Sequence, residues 1–149
     1  MSLARLLESQ RTRLEQLNTL LEREQRALIA GRIDGPELEQ IAMEKAERFK
    51  AIESTESGRA TVQQRLGYPA GREGARRAAL DAGCIEHWER TLALAAETAR
   101  LNERNGRMIS VRMAHNRQML DYIHQITEKS VYAADGRTLS SQRRLSTSA

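Results

Sequence analysis

Leu101-Asn102-Glu103-Arg104-Asn105-Gly106-Arg107-Met108-Ile109 lies inside a proline-free stretch from Cys84 to Ile126, and the architecture of the chain hangs on whether that stretch is one helix. Alternating steps of three and four pass through Ile85, Trp88, Leu92, Ala95, Ala99, Asn102, Gly106, Ile109, Met113, Asn116, Leu120 and Ile123. That is the seam spacing of a coiled-coil helix, and it predicts a single long one. At ~1.5 Å per residue the helix is roughly 60 Å long, more than one compact domain can cover, so part of its apolar face is predicted to be left for another surface. Asn102 and Gly106 stand where Leu or Ile would pack best, and Asn116 repeats the choice further on. Polar seam residues cost stability and set register or partner choice.

Upstream, Leu7, Leu14, Leu21 and Leu28 recur every seven residues, with Leu3, Gln10, Leu17 and Glu24 on the other seam position and Leu6, Leu20 and Ala27 widening the stripe. This predicts a first helix over residues 3–30 with one broad buried face, as in a bundle. Gly31-Arg32-Ile33-Asp34-Gly35-Pro36 ends it, with Gly31 read as a left-handed helix end and Pro36 as the first turn of the next helix. So short a connection makes the two helices antiparallel neighbours. The second helix, over residues 36–66, has Leu38, Ile41, Ala42, Phe49, Ile52, Val62 and Leu66 on its seam. That seam thins between Glu53 and Thr61, where Gly58 sits. Gly67 to Gly74 reads as a loop, Ala75 to Ala82 as a short helix stopped by Gly83, and the long helix follows. The fold class predicted is all-α: an antiparallel helical hairpin packed on a long third helix, a coiled-coil-like three-helix bundle spanning residues 1–126. Residues 127–149, poor in apolar side chains, read as a flexible C-terminal tail.

The 149 residues suffice for one domain with a small core, and 30% charged against 3% aromatic residues favours elongated helices with narrow seams. A lone cysteine, Cys84, excludes an internal disulfide framework and fits a reducing cytosol. No apolar run has the length of a membrane span and no signal-peptide pattern opens the chain, so a cytoplasmic protein is expected. The net charge is +4, and of 24 basic residues only Lys45, Lys50 and Lys129 are lysine. Arg and Glu alternate along the first two helices rather than clustering, which argues against nucleic-acid binding.

Cys84 with His87, and Asp121 with His124, each place two metal-ligating types one turn apart. On one continuous helix the pairs are roughly 55 Å apart and cannot share an ion. No Gly-rich oxyanion or phosphate loop accompanies them, so neither an enzyme nor a cofactor is expected. Trp88 reads as a core anchor of the long helix. Met108, Met113 and Met119 serve equally as gap fillers or as an adaptable partner surface. Arg100, Arg104 and Arg107 form a stripe read mainly as solvated, with an acidic partner as the alternative. Tyr132, an isolated aromatic in a polar tail, has the character of a docking anchor.

Three segments carry a resemblance. They are Glu24-Gln25 through Gly31-Arg32-Ile33-Asp34-Gly35 to Glu44-Lys45; Leu101-Asn102-Glu103-Arg104-Asn105-Gly106 with His115-Asn116-Arg117-Gln118; and Val131-Tyr132-Ala133-Ala134-Asp135-Gly136-Arg137-Thr138. In that order, and with the Leu-Asn-x-x-Asn-Gly and Tyr-x-Ala-Asp-Gly-x-Thr elements the specific ones, the chain resembles the FlgN-type flagellar export chaperones. Ala133 departs from the glycine common after the tyrosine. The resemblance implies a cytosolic, non-enzymatic chaperone that holds the hook-filament junction proteins FlgK and FlgL and delivers them to the flagellar type III export apparatus. It also implies that the C-terminal part of the long helix and the tail bind substrate, and that Tyr132 contacts the export gate protein FlhA. The residues suit such a role: Ile109, Met113, Leu120 and Ile123 offer an apolar stripe to an amphipathic helix, with Asn102, Asn105 and Asn116 setting register around Gly106. The alternative is a structural coiled-coil protein that homodimerises through the same seam.

Overall fold

A computed structural model describes the backbone of residues 2–147 and the side chains of residues 2–129. The described residues form four helices: α1 (Leu3–Ile29), α2 (Gly35–Arg65), α3 (Arg72–Asp81) and α4 (Ile85–Thr147). The fold is all-α, as the periodicities require. The chain divides into two units, Met1–Arg107 and Met108–Ala149, directly after the Leu-Asn-x-x-Asn-Gly element. The expected bundle-to-tail border after Ile126 falls within α4, and Tyr132 lies outside the residues whose side chains are described.

α1 buries its seam as read. Leu3, Leu7, Gln10, Leu14, Leu17, Leu21, Glu24 and Leu28 are all buried, as are the flanking Leu6, Leu20 and Ala27. Ser2 caps the helix, its hydroxyl accepting from the Arg5 amide at 3.3 Å. The helix does not end through a left-handed Gly31: Ala30 turns extended at ψ 141°, and Gly31 is not among the glycines with positive φ. Asp34 then caps α2, accepting from the Glu37 amide at 3.1 Å, with Pro36 in the first turn. This Asp-x-x-Glu start went unread, although it has the spacing of a capping box.

α2 differs most from its sequence reading. Ile41 is buried, but Phe49 and Leu66 are 40% and 57% exposed and Ala42 faces solvent. Leu38, Ile52 and Val62 are half-buried, and polar residues fill the rest of the inward side. Lys45 reaches Glu24, the Ala51 carbonyl accepts from Arg13, and Arg59 and Gln63 are buried, while Arg48 reaches Gln16 at the exposed rim. α1 presents Arg13, Gln16 and Glu24 to α2, so polar residues satisfy that face better than Phe49 could.

Two helix ends are closed by the same device. Gly67 (φ 85°) follows α2, with Tyr68 N–H bonded to the Gln63 carbonyl and Gly67 N–H to that of Gln64. Gly83 (φ 70°) follows α3, with Cys84 N–H bonded to Ala79 and Gly83 N–H to Leu80. Both are Schellman motifs, which need a left-handed residue after the cap. The loop is shorter than predicted, because α3 already begins at Arg72. Gly74 is a packing residue inside α3, where a Cβ would collide with the Pro69 carbonyl oxygen. Its neighbours Ala75, Ala78 and Ala79 join Leu3, Leu7, Cys84 and Trp88 in one apolar cluster, so α3 plugs an end of the bundle with small side chains. Tyr68 donates to Asp81 at 2.6 Å and ties the loop to α3; that bond raises the Tyr68 pKa.

Candidate functional site

α4 changes character along its length. In its first part the buried residues are Trp88, Thr91, Thr98 and Asn105, preceded by the buried Cys84, with Ala95 and Asn102 half-buried between them. The steps are again fours and threes, but the seam is rotated from the sequence reading. Trp88, Ala95 and Asn102 are shared, and Ile85 and Leu92 are half-buried and pack against the core cluster beside the buried Cys84 and Thr91; further on, Thr98 and Asn105 are buried where Ala99 and Gly106 are exposed. The physical reason is polar matching with α1. Thr98 donates its hydroxyl to Asn18 Oδ1 at 2.6 Å, and Asn105 donates Nδ2 to the Leu21 carbonyl at 2.7 Å and to Glu24 Oε1 at 3.0 Å. A buried amide so satisfied outweighs the extra apolar area of Ala99.

Asn105 is thereby the centre of a lock joining three helices. Its side chain is 0% exposed. Glu24 of α1, itself buried, accepts from Asn105 and from Lys45 Nζ of α2 at 3.1 and 3.2 Å. Arg104 donates to Asn105 Oδ1 at 3.2 Å through Nη2 and 3.3 Å through Nε. The charge of Glu24 is met by Lys45, so the cluster leaves no buried ion alone. Asn105 makes its hydrogen bonds inside the bundle. Gly106, one residue on, is exposed, and a Cβ there would meet nothing within 4 Å.

Beyond Arg107 the burial ends. Ile109 is half-buried, Asn116 is exposed, and Met113, Leu120 and Ile123 are 59%, 55% and 50% exposed. Successive residues turn by about 100°, which brings Ile109, Met113, Asn116, Leu120 and Ile123 onto one stripe of the helix. Carrying the seam of Thr91, Thr98 and Asn105 forward in sevens adds Arg112, Met119 and Ile126. Met119 and Ile126 are also about half-exposed and widen the stripe on one side. The sequence names Met119, with Met108 and Met113, as an adaptable surface but gives no such place to Ile126; the signal for it is its seven-residue spacing from Met119. Val111 and Tyr122, exposed too, fall on the opposite face.

Other readings find their places in the bundle. Trp88 is a core anchor, with the Arg59 guanidinium 5.2 Å from its ring centroid. Arg59 is itself held by Glu56 at 2.6 and 2.9 Å and by Gln63 at 2.8 Å. Cys84 is buried, which raises its thiol pKa. Among the described residues no three His, Cys, Asp or Glu gather as a metal site, and no helix is long and apolar enough to cross a membrane.

The first unit is a bundle tied together at Asn105, and in the second unit Met113, Leu120 and Ile123 keep an apolar stripe exposed, a face of the kind that suits helix-on-helix packing. The family model for FlgN protein matches residues 1–140, and the chain belongs to that family, one of flagellar export chaperones rather than enzymes. It is similar to the flagella synthesis protein FlgN of Salmonella typhimurium, 29% identical over 141 residues that cover 95% of this chain and 93% of the relative. The flagella synthesis protein FlgN of Yersinia enterocolitica is 28% identical over 130 residues (87% and 84%), and that of Escherichia coli K12 23% over 141 (95% and 93%). No solved structure matches the chain.

Proposed function

We propose that this protein is the cytosolic chaperone of the hook-filament junction proteins FlgK and FlgL, and that it carries them to the export gate protein FlhA. The observation behind this reading is the open stripe of Ile109, Met113, Leu120 and Ile123, with Met119 and Ile126 beside it, on a helix whose earlier turns are locked into a bundle. An amphipathic helix of the substrate lies along that stripe, burying apolar side chains on both partners. Asn116, and Asn102 at the edge of the bundle, give polar points that favour one register, while Asn105 acts from inside by holding α4 in place. Gly106 leaves a gap in the side-chain surface where the partner approaches the backbone closely. Residues 127–149 contribute to substrate binding, and Tyr132 contacts FlhA. Holding the substrate's apolar ends in this way prevents their premature assembly.

Co-purification with FlgK and FlgL tests the reading. Met113→Asp with Leu120→Asp should abolish capture while leaving the melting temperature of the bundle unchanged, and Tyr132→Ala should spare capture but weaken retention on FlhA. Capture and export that survive deletion of residues 127–149 unchanged would remove the tail from the mechanism. A homodimer built on the same stripe predicts instead that the double substitution converts a dimer to a monomer in sedimentation and leaves FlgK and FlgL unbound in both forms.

A further inference from the structure

Between α1 and α2 lie two adjoining hollows of about 500 and 220 Å³. The first is lined by Ser9, Thr12, Arg13, Gln16, Arg48 and Ala51. The second shares Gln16 and Arg48 and adds, among others, Arg23, Arg26 and Glu44, with Leu20 in its wall. Four arginines therefore line this groove against one carboxylate, Glu44, which already pairs with Arg23 at 3.5 Å.

The other three arginines have no carboxylate within ion-pair distance among the described residues. Two are nevertheless held in position by neutral acceptors from the opposite helix. Arg13 Nη1 donates to the Ala51 carbonyl at 2.9 Å, and Arg48 Nη1 donates to Gln16 Oε1 at 2.9 Å. A guanidinium carries five N–H donors in a rigid fork, so each keeps donors and an uncompensated charge for an anion. Ser9, Thr12 and Gln16 add neutral polar groups. From Arg13 to Arg26 the charged stretch runs about 20 Å along α1, the reach of about six extended residues.

We propose that this groove docks an acidic, carboxylate-rich segment of a partner protein. Carboxylates meet Arg13, Arg48 and Arg26 as two-pronged ion pairs, and Leu20 offers an apolar contact to a side chain between them. The surroundings favour a peptide over a nucleic acid. On α1, Glu8, Glu15 and Glu22 recur every seven residues on the stripe next to Thr12, Thr19 and Arg26, and on α2 Glu47 is exposed. These acids confine the positive field to a narrow groove, which one extended acidic segment can follow, whereas a nucleic acid needs a broad basic face. The site uses none of the residues of the open stripe on α4, and stands whether or not that stripe holds a substrate helix.

The test is fluorescence anisotropy of a labelled hexaglutamate peptide titrated with the full-length protein. Saturable binding is expected, weakened about tenfold or more by Arg26→Glu with Arg48→Glu, both at exposed positions. Arg76→Glu with Arg90→Glu makes the same charge change at exposed positions elsewhere and should leave the affinity within about twofold. If circular dichroism shows the first pair unfolded, Arg26→Gln with Arg48→Gln takes its place, with a loss of about threefold expected. Absence of saturable binding, equal loss in the control pair, or tighter binding of a hexathymidylate with the same sensitivity would each overturn the proposal.

Discussion

α1 and the second half of α4 carry the same step pattern, yet they end in opposite environments. All eight seam residues of α1, from Leu3 to Leu28, are buried, whereas Met113, Asn116, Leu120 and Ile123 of α4 are exposed and only Ile109 is partly covered. Periodicity states which side of a helix is apolar. It does not state whether anything covers that side, because cover comes from other segments of chain. α1 has α2, α3 and the first turns of α4 around it, whereas Met113, Leu120 and Ile123 are 59%, 55% and 50% exposed.

Truncating one residue in each region should break the symmetry most visibly. Leu17→Ala, at a fully buried position, should cost about 3 kcal/mol in denaturant unfolding, while Leu120→Ala should stay within about 0.5 kcal/mol. Equal costs would mean that the stripe on α4 is covered in solution. Next in size is the lock. Asn105→Ala removes donors to the Leu21 carbonyl and to Glu24 and should destabilise by about 2 kcal/mol, and Asn105→Asp, which sets a second carboxylate beside Glu24, by more. Hydrogen exchange should then show residues 98–107 opening before α1 does.

Gly106→Ala sharpens the boundary between the two regions. Nothing stands within 4 Å of the added Cβ, so the substitution should stabilise the helix by about 0.8 kcal/mol, readable as a higher melting temperature. A destabilisation would show that the surface at Gly106 is occupied. The smallest effect concerns Cys84, whose thiol pKa is raised by burial. A raised folded-state pKa adds stability that is fully present below the unfolded thiol pKa and declines as pH rises through the folded one. A Cys84→Ala variant should therefore show a shallower loss of stability than the parent across that alkaline window, and Cys84 in the native protein should react slowly with thiol reagents.

Much of the bundle was legible from residues 3–28, because leucines at seven-residue spacing leave no competing face. α2 was less so. Phe49 and Ala42 looked like seam residues, but Lys45 and Arg59 take the inward side, since each finds a polar partner or an aromatic face there. On α4 the apolar count favoured Ala99 and Gly106, and hydrogen-bond partners on α1 selected Thr98 and Asn105. A one-residue rotation of that kind is invisible to a periodicity count when both neighbours repeat every seven residues. The stripe at Ile109, Met113, Leu120 and Ile123 could be named from sequence, with Met119 beside it in a methionine set, while Ile126 needed the observed register.

By itself the sequence determined that the chain is helical, where the helices break, and that one helix is too long for its own bundle to cover. These depend on local spacing, on Pro36, Gly67 and Gly83, and on elementary helix geometry. Only the tertiary structure decided which face of α4 turns inward, that Gly74 is a point of close contact, and that Asn105, Glu24 and Lys45 from three helices meet in one place. Such choices rest on pairing between residues far apart in the chain. A buried polar group takes the orientation in which its partners lie, and the sequence does not say where those partners will be.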